Sequence, residues 1–330
     1  MLPSAVVAST DRLATAAIRC AWSQWSSIGA LTHRGPQIDD EIVDVEALLL
    51  GSLGLARREP RLRTLAIDWT MENSGLLSIA RIRALVDRPF AGTATDIGDL
   101  AHLVSTEGGD ARWRALVPGG REASLRVGPT RPRTGKAMPP RWRGARTLLL
   151  QLRRGLGVGV KPDLIAILLG SRSAWVDVSA LCELSRYSVA GVRHAADDMA
   201  DAGLIETTHG HNRAYRANMK SWGALLPNVV SPVWRRRADG FAFVLRWLSD
   251  LDGKDASYDS ELSLALSFGA RMKEYWRLWN EAGVTQEPVS DDPANAWGSR
   301  NLAMESLIGW FEDRAHYGDE YDGRNQEITG

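Results

Sequence analysis

The sequence predicts a mainly α-helical fold with a small β wing, in which a central winged helix-turn-helix is flanked by helical domains. Apolar residues recur at helical spacing along most of the chain, as they do in helices that bury one face. Between Lys161 and Trp222 the pattern changes to two helices followed by two short strands and a turn. The composition, 44% hydrophobic and 24% charged, is typical of a globular protein with a sizeable core.

Shifts in charge and composition divide the 330 residues into segments. Residues 119–161 contain 11 basic residues and one acidic residue, whereas residues 239–330 contain 8 basic and 18 acidic residues. The net charge of zero therefore combines a cationic middle with an anionic end, and binding is expected to depend on the segment. The predicted domains are a helical N-terminal domain (1–117), a basic arm or linker rich in Pro, Gly and Arg (118–160), the winged helix-turn-helix (161–230), an acidic helical C-terminal domain (231–317) and a disordered tail (318–330).

Helices are predicted on both sides of the arm. Pro60 and the Asn73–Gly75 segment interrupt the apolar periodicity of the front half and mark helix boundaries there. The helices of the back half are rich in Trp, which supplies either a helical core or a surface for a partner. The predicted helices span 11–28, 43–56, 61–71, 78–86, 96–104, 111–116, 241–251, 261–279 and 296–311.

The central segment follows the element order of a winged helix. Pro162 stands in the first turn of a helix, where its missing N–H costs nothing. Ser188 is predicted to cap the second helix of VSALCELSRYSVAGVRHAADDMADAGLI, and Gly203 is predicted to end it. The predicted elements are a helix opening at Lys161, a strand at 175–178, a helix pair within 178–201 and two wing strands at 204–208 and 213–217.

Two resemblances follow from these residues. The step from Met199 to Ile205 is a hydrophobic residue, three further residues and then Gly-Leu-Ile. It resembles the entry into the wing in winged-helix regulators of the MarR and ArsR type. This resemblance implies a DNA-binding fold. More weakly, the helical front, the GLGVGVKPDLIAILL stretch and AYRANMKSW resemble winged-helix proteins paired with AbiE-type nucleotidyltransferase toxins, which implies the regulator or antitoxin member of a toxin pair.

The second helix carries the residues that are expected to read DNA. Ser188, Arg193 and His194 face outward in such a fold, and Arg193 is best suited to bind guanine or phosphate. Asp197 and Asp198 oppose this function because their charges repel phosphate. A basic arm adds phosphate contacts and is able to enter a minor groove. The remaining candidate DNA-binding residues are Arg131, Arg133, Lys136, Arg141, Arg143, Arg146, Arg153 and Arg154 in the arm, and His211 and Arg213 in the wing.

Two alternatives stay open at the level of sequence. The arm has three possible roles: it contacts DNA, it is a solvated linker, or its arginines bind the acidic end of the same chain. The winged helix either reads DNA or serves as a protein-interaction module in a scaffold or toxin neutraliser that does not bind DNA. We expect double-stranded DNA as the partner, a homodimer that sets the half-site spacing, and a protein partner that is a toxin or a second copy.

Several other function classes are not indicated. His194, His209 and His211 could meet where the second helix approaches the wing, and His209 and His211 form an HxH pair. With no Cys nearby, ordinary wing and surface histidines are favoured, and neither a metal nor a cofactor is predicted. Catalytic motifs such as GxSxG and HExxH are absent from the sequence, so no enzymatic activity is predicted. The sequence has no apolar run long enough for a membrane helix and starts without a signal-peptide pattern, so a cytoplasmic protein without membrane contact is expected.

Overall fold

The computed structural model describes residues 4–30, 40–118, 142, 144–210, 213–252, 261–284 and 296–312. Within these residues the fold is mainly helical with little strand, as the sequence predicts. The helices are α1 (Ser4–Ser27), α2 (Val45–Gly54), α3 (Pro60–Asn73), α4 (Ile79–Asp87), α5 (Ala94–Thr106), α6 (Leu148–Leu156), α7 (Val160–Gly170), α8 (Val178–Ser185), α9 (Val189–Asp201), α10 (Met219–Trp222), α11 (Arg237–Asp252), α12 (Glu261–Glu274), α13 (Trp276–Glu281) and α14 (Ala296–Phe311). The strands are β1 (Glu41–Ile42), β2 (Val176–Asp177), β3 (Glu206–Thr207), β4 (Ala214–Arg216) and β5 (Val233–Trp234).

The chain forms two compact units. The central unit comprises described residues of 22–238, and the terminal unit comprises described residues of 1–21 and 239–330. This division differs from the domains predicted by composition, because helices α2 to α5 share one unit with the predicted winged helix, whereas most of α1 belongs to the terminal unit. The first residues of the predicted C-terminal domain also belong to the central unit, where β5 pairs in parallel with β1.

Two helices form the interior of the central unit. All but the last residue of α2 are buried, and every residue of α7 from Pro162 onward is buried. α2 packs against α3 and α4, while α7 packs against α6, α8, α9 and β5. Gly170, the last residue of α7, lies very close to the backbone of β5. A Cβ at this position would lie 2.6 Å from the backbone nitrogen of Trp234. A side chain at this position would push the helix away from the β1–β5 pair.

The second half of the predicted arm differs from the expectation of an irregular segment. A short 3-10 helix (Ala145–Thr147) leads into α6, where Leu148, Leu149, Leu150 and Leu152 are all buried. The apolar run outweighs the Gly and Arg residues around it because a helix lets these leucines enter the core. Residues 119–141 of the arm lie outside the described residues.

A three-stranded antiparallel sheet lies beside α7, α8 and α9. Its strand order is β2-β4-β3, with Val176 opposite Tyr215 and Glu206 opposite Arg216. Tyr215 is fully buried, so the central strand holds the sheet against the helices.

The terminal unit has an aromatic core. Phe268 lies at the centre of edge-on ring contacts with Phe243, Trp247, Trp279 and Trp297, at centroid distances between 5.2 and 5.8 Å. Edge-on contacts place the positive edge of one ring against the negative face of another. Most of the Trp residues here therefore serve packing. Among the described residues, no helix is both long and apolar enough to span a membrane.

Candidate nucleic-acid interface

The segment from α7 to β4 has the element order helix, strand, helix, helix, strand, strand. Arg186 adopts a left-handed conformation with φ of 63°, which ends α8 and turns the chain sharply. Ser188 then caps α9, its hydroxyl oxygen accepting from the Gly191 amide at 3.2 Å. The predicted cap is confirmed, and Gly203, with φ of +70°, follows the helix end as predicted.

α9 buries one face and exposes the other. Val192, Ala195, Ala196 and Met199 are buried against the rest of the unit, so their side chains fix the rotation of the helix. The opposite face is open to solvent at the positions that the sequence predicts. Ser188, Arg193 and His194 are exposed there, the His194 side chain by 83%.

A groove of about 650 Å³ runs between the start of α8, α9 and the β3–β4 hairpin. It brings together two of the predicted DNA-binding residues, Arg193 from α9 and Arg213 from the hairpin. We call it the α9 groove. Its lining residues are Asp177, Val178, Ser179, Arg193, Asp197, Gly210 and Arg213.

The adjacent aspartates Asp197 and Asp198 of α9 are paired with cations. Asp197 accepts from Arg213 Nη1 at 2.7 Å and from the Tyr215 hydroxyl at 2.7 Å. The hydrogen bond from Tyr215, followed by that from Arg213, lowers the pKa of Asp197. Asp198 lies 2.8 Å from Lys161 Nζ, and this contact lowers the pKa of Asp198. The sequence suggests that these carboxylates repel phosphate, but here each already has a positive neighbour.

The arm and wing candidates have different positions. Arg146 is only 8% exposed and Arg153 is fully buried, so both differ from the expectation that they contact phosphate. Arg154, the next residue on α6, is exposed. Arg213 is half-exposed and lies in the α9 groove. The candidates outside the described residues are Arg131, Arg133, Lys136, Arg141, Arg143 and His211.

A buried ion network, which the sequence reading did not identify, lies beneath the α8–α9 turn. It consists of Glu46, Arg81, Arg153 and Asp163, none of them exposed, with Asp44, Ser78 and Tyr187 at its edge. The signal in the sequence is a charged residue inside an apolar run. Glu46 interrupts VDVEALLL and Asp163 interrupts KPDLIAILL, and such charges remain buried only when paired.

Two arginines connect the network. Arg153 Nη1 donates to Glu46 Oε1 at 2.5 Å, and its Nε and Nη2 donate to the two oxygens of Asp163 at 2.7 and 2.8 Å. Arg81 Nη1 donates to Glu46 Oε2 at 2.9 Å, and its Nη2 donates to Asp44 at 2.7 Å. Burial alone raises the pKa of Glu46, but the charges of Arg153 and Arg81 outweigh burial and lower it. The Glu46 carboxylate is therefore held ionised in the core.

Neither a metal site nor a known relative adds to this picture. Within the described part of the chain, no group of three His, Cys, Asp or Glu side chains is placed to hold a metal ion. Comparison with protein-family models, curated proteins and solved structures found no match. The function must therefore be inferred from the geometry of the α9 groove and from the sequence.

Proposed function

We propose that this chain is a cytoplasmic DNA-binding transcriptional regulator whose α7–β4 segment acts as a winged helix-turn-helix. The observation that carries the proposal is the α9 groove, where Arg193 of the second helix and Arg213 of the hairpin line one surface. In a winged helix the second helix enters the major groove of DNA. The burial of one face of α9 and the solvent exposure of its other face support this role.

Each exposed residue has a defined part in the proposed complex. Arg193 projects from α9 toward base edges, where its guanidinium is suited to the two acceptors of guanine or to a phosphate. Ser188 and His194 flank it on the same helix. Arg213 lies on the hairpin beside the path expected for the phosphate backbone, but its ion pair with Asp197 occupies its guanidinium. A phosphate contact at this position would set affinity rather than sequence preference. A homodimer would repeat this surface at two half-sites.

The resemblance to proteins paired with AbiE-type toxins extends the proposal to a regulator or antitoxin of a toxin pair. In that role one surface binds DNA and another binds the toxin. A gene for a nucleotidyltransferase beside the gene for this chain would support it.

The experiment that tests DNA binding is a fluorescence-anisotropy titration with the promoter DNA of the chain's own gene and with scrambled DNA of the same length. The titration is run from about 50 to 200 mM salt, because phosphate contacts give a steep salt dependence. We expect tighter binding to the promoter. Absence of binding to both DNAs at the lowest salt concentration would contradict the proposal.

Replacing Arg193 by Ala is expected to weaken promoter binding about tenfold, because a guanine-reading arginine contributes roughly 1–3 kcal/mol. The preference for promoter over scrambled DNA should fall as well. The control is Arg88→Ala, which removes an exposed arginine at the end of α4 in the same unit. Equal effects of the two substitutions in the anisotropy titration would rule out direct reading by α9.

Replacing Asp197 by Asn is expected to strengthen DNA binding about fivefold at low salt, because Arg213 loses its carboxylate partner and becomes available for phosphate. The Asn oxygen still accepts from Tyr215, so the hairpin keeps that contact. One more phosphate contact should also steepen the salt dependence, by about 0.9 in the slope of log affinity against log salt. The readout is the same anisotropy titration.

The matched control is Asp201→Asn at the exposed end of α9. It removes the same charge from the same helix but leaves the pair between Arg213 and Asp197 intact. A gain in affinity as large as that of Asp197→Asn would show that net charge, rather than release of Arg213, governs binding.

A second candidate function is protein binding by the same surface. The exposed apolar side chains of Val189 and Leu204, 52% and 45% exposed, lie at the two ends of α9 and favour it. In this case the chain is a scaffold or toxin neutraliser. The DNA titration separates the two candidates, since a protein-binding surface predicts no promoter preference and no response to Asp197→Asn.

A further inference from the structure

We propose that Tyr187 is a positioning residue that anchors α9 to helices α2, α4 and α7 through the buried ion network. The DNA readout of this inference rests on the proposed function, whereas its structural readout does not. Tyr187 lies directly before Ser188, the residue that caps α9. Whatever fixes Tyr187 therefore fixes the start of the helix that carries Arg193.

The Tyr187 hydroxyl joins two elements that are distant in sequence. It donates to Asp163 Oδ2 of α7 at 2.9 Å and lies 2.8 Å from the hydroxyl oxygen of Ser78, the residue that caps α4. Asp163 is held in turn by Arg153, and the Ser78 amide donates to Glu46 Oε1 at 2.8 Å. The hydroxyl is thus bound to both ends of the network.

A second bond holds the other side of the same turn. Arg81 Nε donates at 3.0 Å to the carbonyl of Ser185, the last residue of α8. The carbonyls at the end of a helix lack partners within the helix, so a buried guanidinium there satisfies one and favours the helix dipole. The turn between α8 and α9 is therefore fixed before and after its left-handed residue, Arg186.

The buried ion network gives helices α2 and α4 a structural role in supporting α9. Ser78 and Arg81 begin α4, and Glu46 lies in the first turn of α2. Both helices lie far from the α8–α9 turn in sequence, since Arg81 and Ser185 are 104 positions apart. The N-terminal helices are thus the support on which the proposed DNA-reading helix is oriented, rather than a separate domain.

The experiment compares Tyr187→Phe with wild type by amide hydrogen exchange measured by NMR on the full chain. The substitution keeps the ring and removes the hydroxyl. The Gly191 and Val192 amides, which donate to Ser188, should exchange about fivefold faster. The Leu48 amide, which donates to Asp44 at the start of α2, should not change. A purely global destabilisation would instead accelerate all three amides.

Ser52→Ala is the matched control. It removes a buried hydroxyl of the same unit, one that accepts from Trp25 Nε1 at 2.9 Å, and that hydroxyl does not touch the network. If Ser52→Ala accelerates Gly191 and Val192 as much as Tyr187→Phe does, the inference is overturned. Should Tyr187→Phe not fold, Ser78→Ala removes the Ser78–Tyr187 bond together with the hydroxyl that caps α4 at the Arg81 amide. It must accelerate the same two amides, or the inference fails.

Promoter binding supplies the second readout. We expect Tyr187→Phe to bind promoter DNA about threefold more weakly than wild type under conditions in which both are folded, with Ser52→Ala unchanged. If wild type binds no DNA, the proposed function fails but hydrogen exchange still decides the anchoring. If wild type binds DNA and Tyr187→Phe changes neither exchange nor binding, the anchoring inference alone is wrong.

Discussion

Replacing Arg153 by Met should lower the free energy of unfolding by about 3–5 kcal/mol, because it leaves buried carboxylates without their main partner. Arg153 makes bonds to both oxygens of Asp163 and to both oxygens of Glu46, and all three residues are fully buried. Met keeps the apolar stem and similar volume, so loss of packing contributes little. The measurement is urea unfolding followed by far-UV circular dichroism.

Arg154 provides a closely matched control for the substitution at Arg153. Arg153 and Arg154 are neighbours in α6 and identical in type, but the second is exposed. Arg154→Met should change the unfolding free energy by less than about 0.5 kcal/mol, as most surface substitutions do. Similar losses for the two variants would mean that the buried ion network does not stabilise the fold as its geometry indicates.

The second large effect concerns the predicted winged-helix segment by itself. A fragment of residues 161–230 is expected not to fold, because it contains Asp163 but neither Arg153 nor Arg81. The apolar residues of α7 that face α6 and β5 would also lose their cover. A buried charge without a partner and exposed core residues together exceed the few kcal/mol of stability that a small domain has.

The comparison is with a fragment of residues 22–238, which contains the whole central unit. We expect this longer fragment to give dispersed amide signals in NMR and a cooperative thermal transition. The 161–230 fragment should give neither. A cooperative transition in the shorter fragment would show that the winged-helix segment is an autonomous domain, and that the N-terminal helices are not required to support it.

Local patterns were sufficient to predict most of the elements. The helix predicted at 296–311 has those bounds in the structure, and the cap at Ser188 is where the sequence places it. Capping and apolar periodicity involve only a few neighbouring residues, so they can be recognised without knowledge of the rest of the chain. The residues that line α9 on its buried face follow from the same periodicity.

Domain boundaries were less predictable, because they depend on which apolar faces pack together. The composition of residues 118–160 resembles a linker, yet its leucines at 148–152 enter the core of the central unit. A high content of Gly and Arg indicates a solvated segment, but whether its leucines are buried depends on an apolar face that another part of the chain supplies. Here that face is supplied mainly by α7, which packs against α6.

The sequence by itself determined where most of the helices and the strands β2, β3 and β4 form, how α9 is capped and which of its residues face outward. Only the tertiary structure decided which charged side chains are buried and which partners they pair with. Arg153 and Arg154 have the same local sequence context, yet Arg153 meets Glu46, 107 residues earlier, and is buried, while Arg154 faces solvent. Asp197 likewise lies on the exposed side of α9, and the fold places its partner Arg213, a residue of the hairpin, next to it. Electrostatic pairing depends on distance in space, and the fold alone sets that distance.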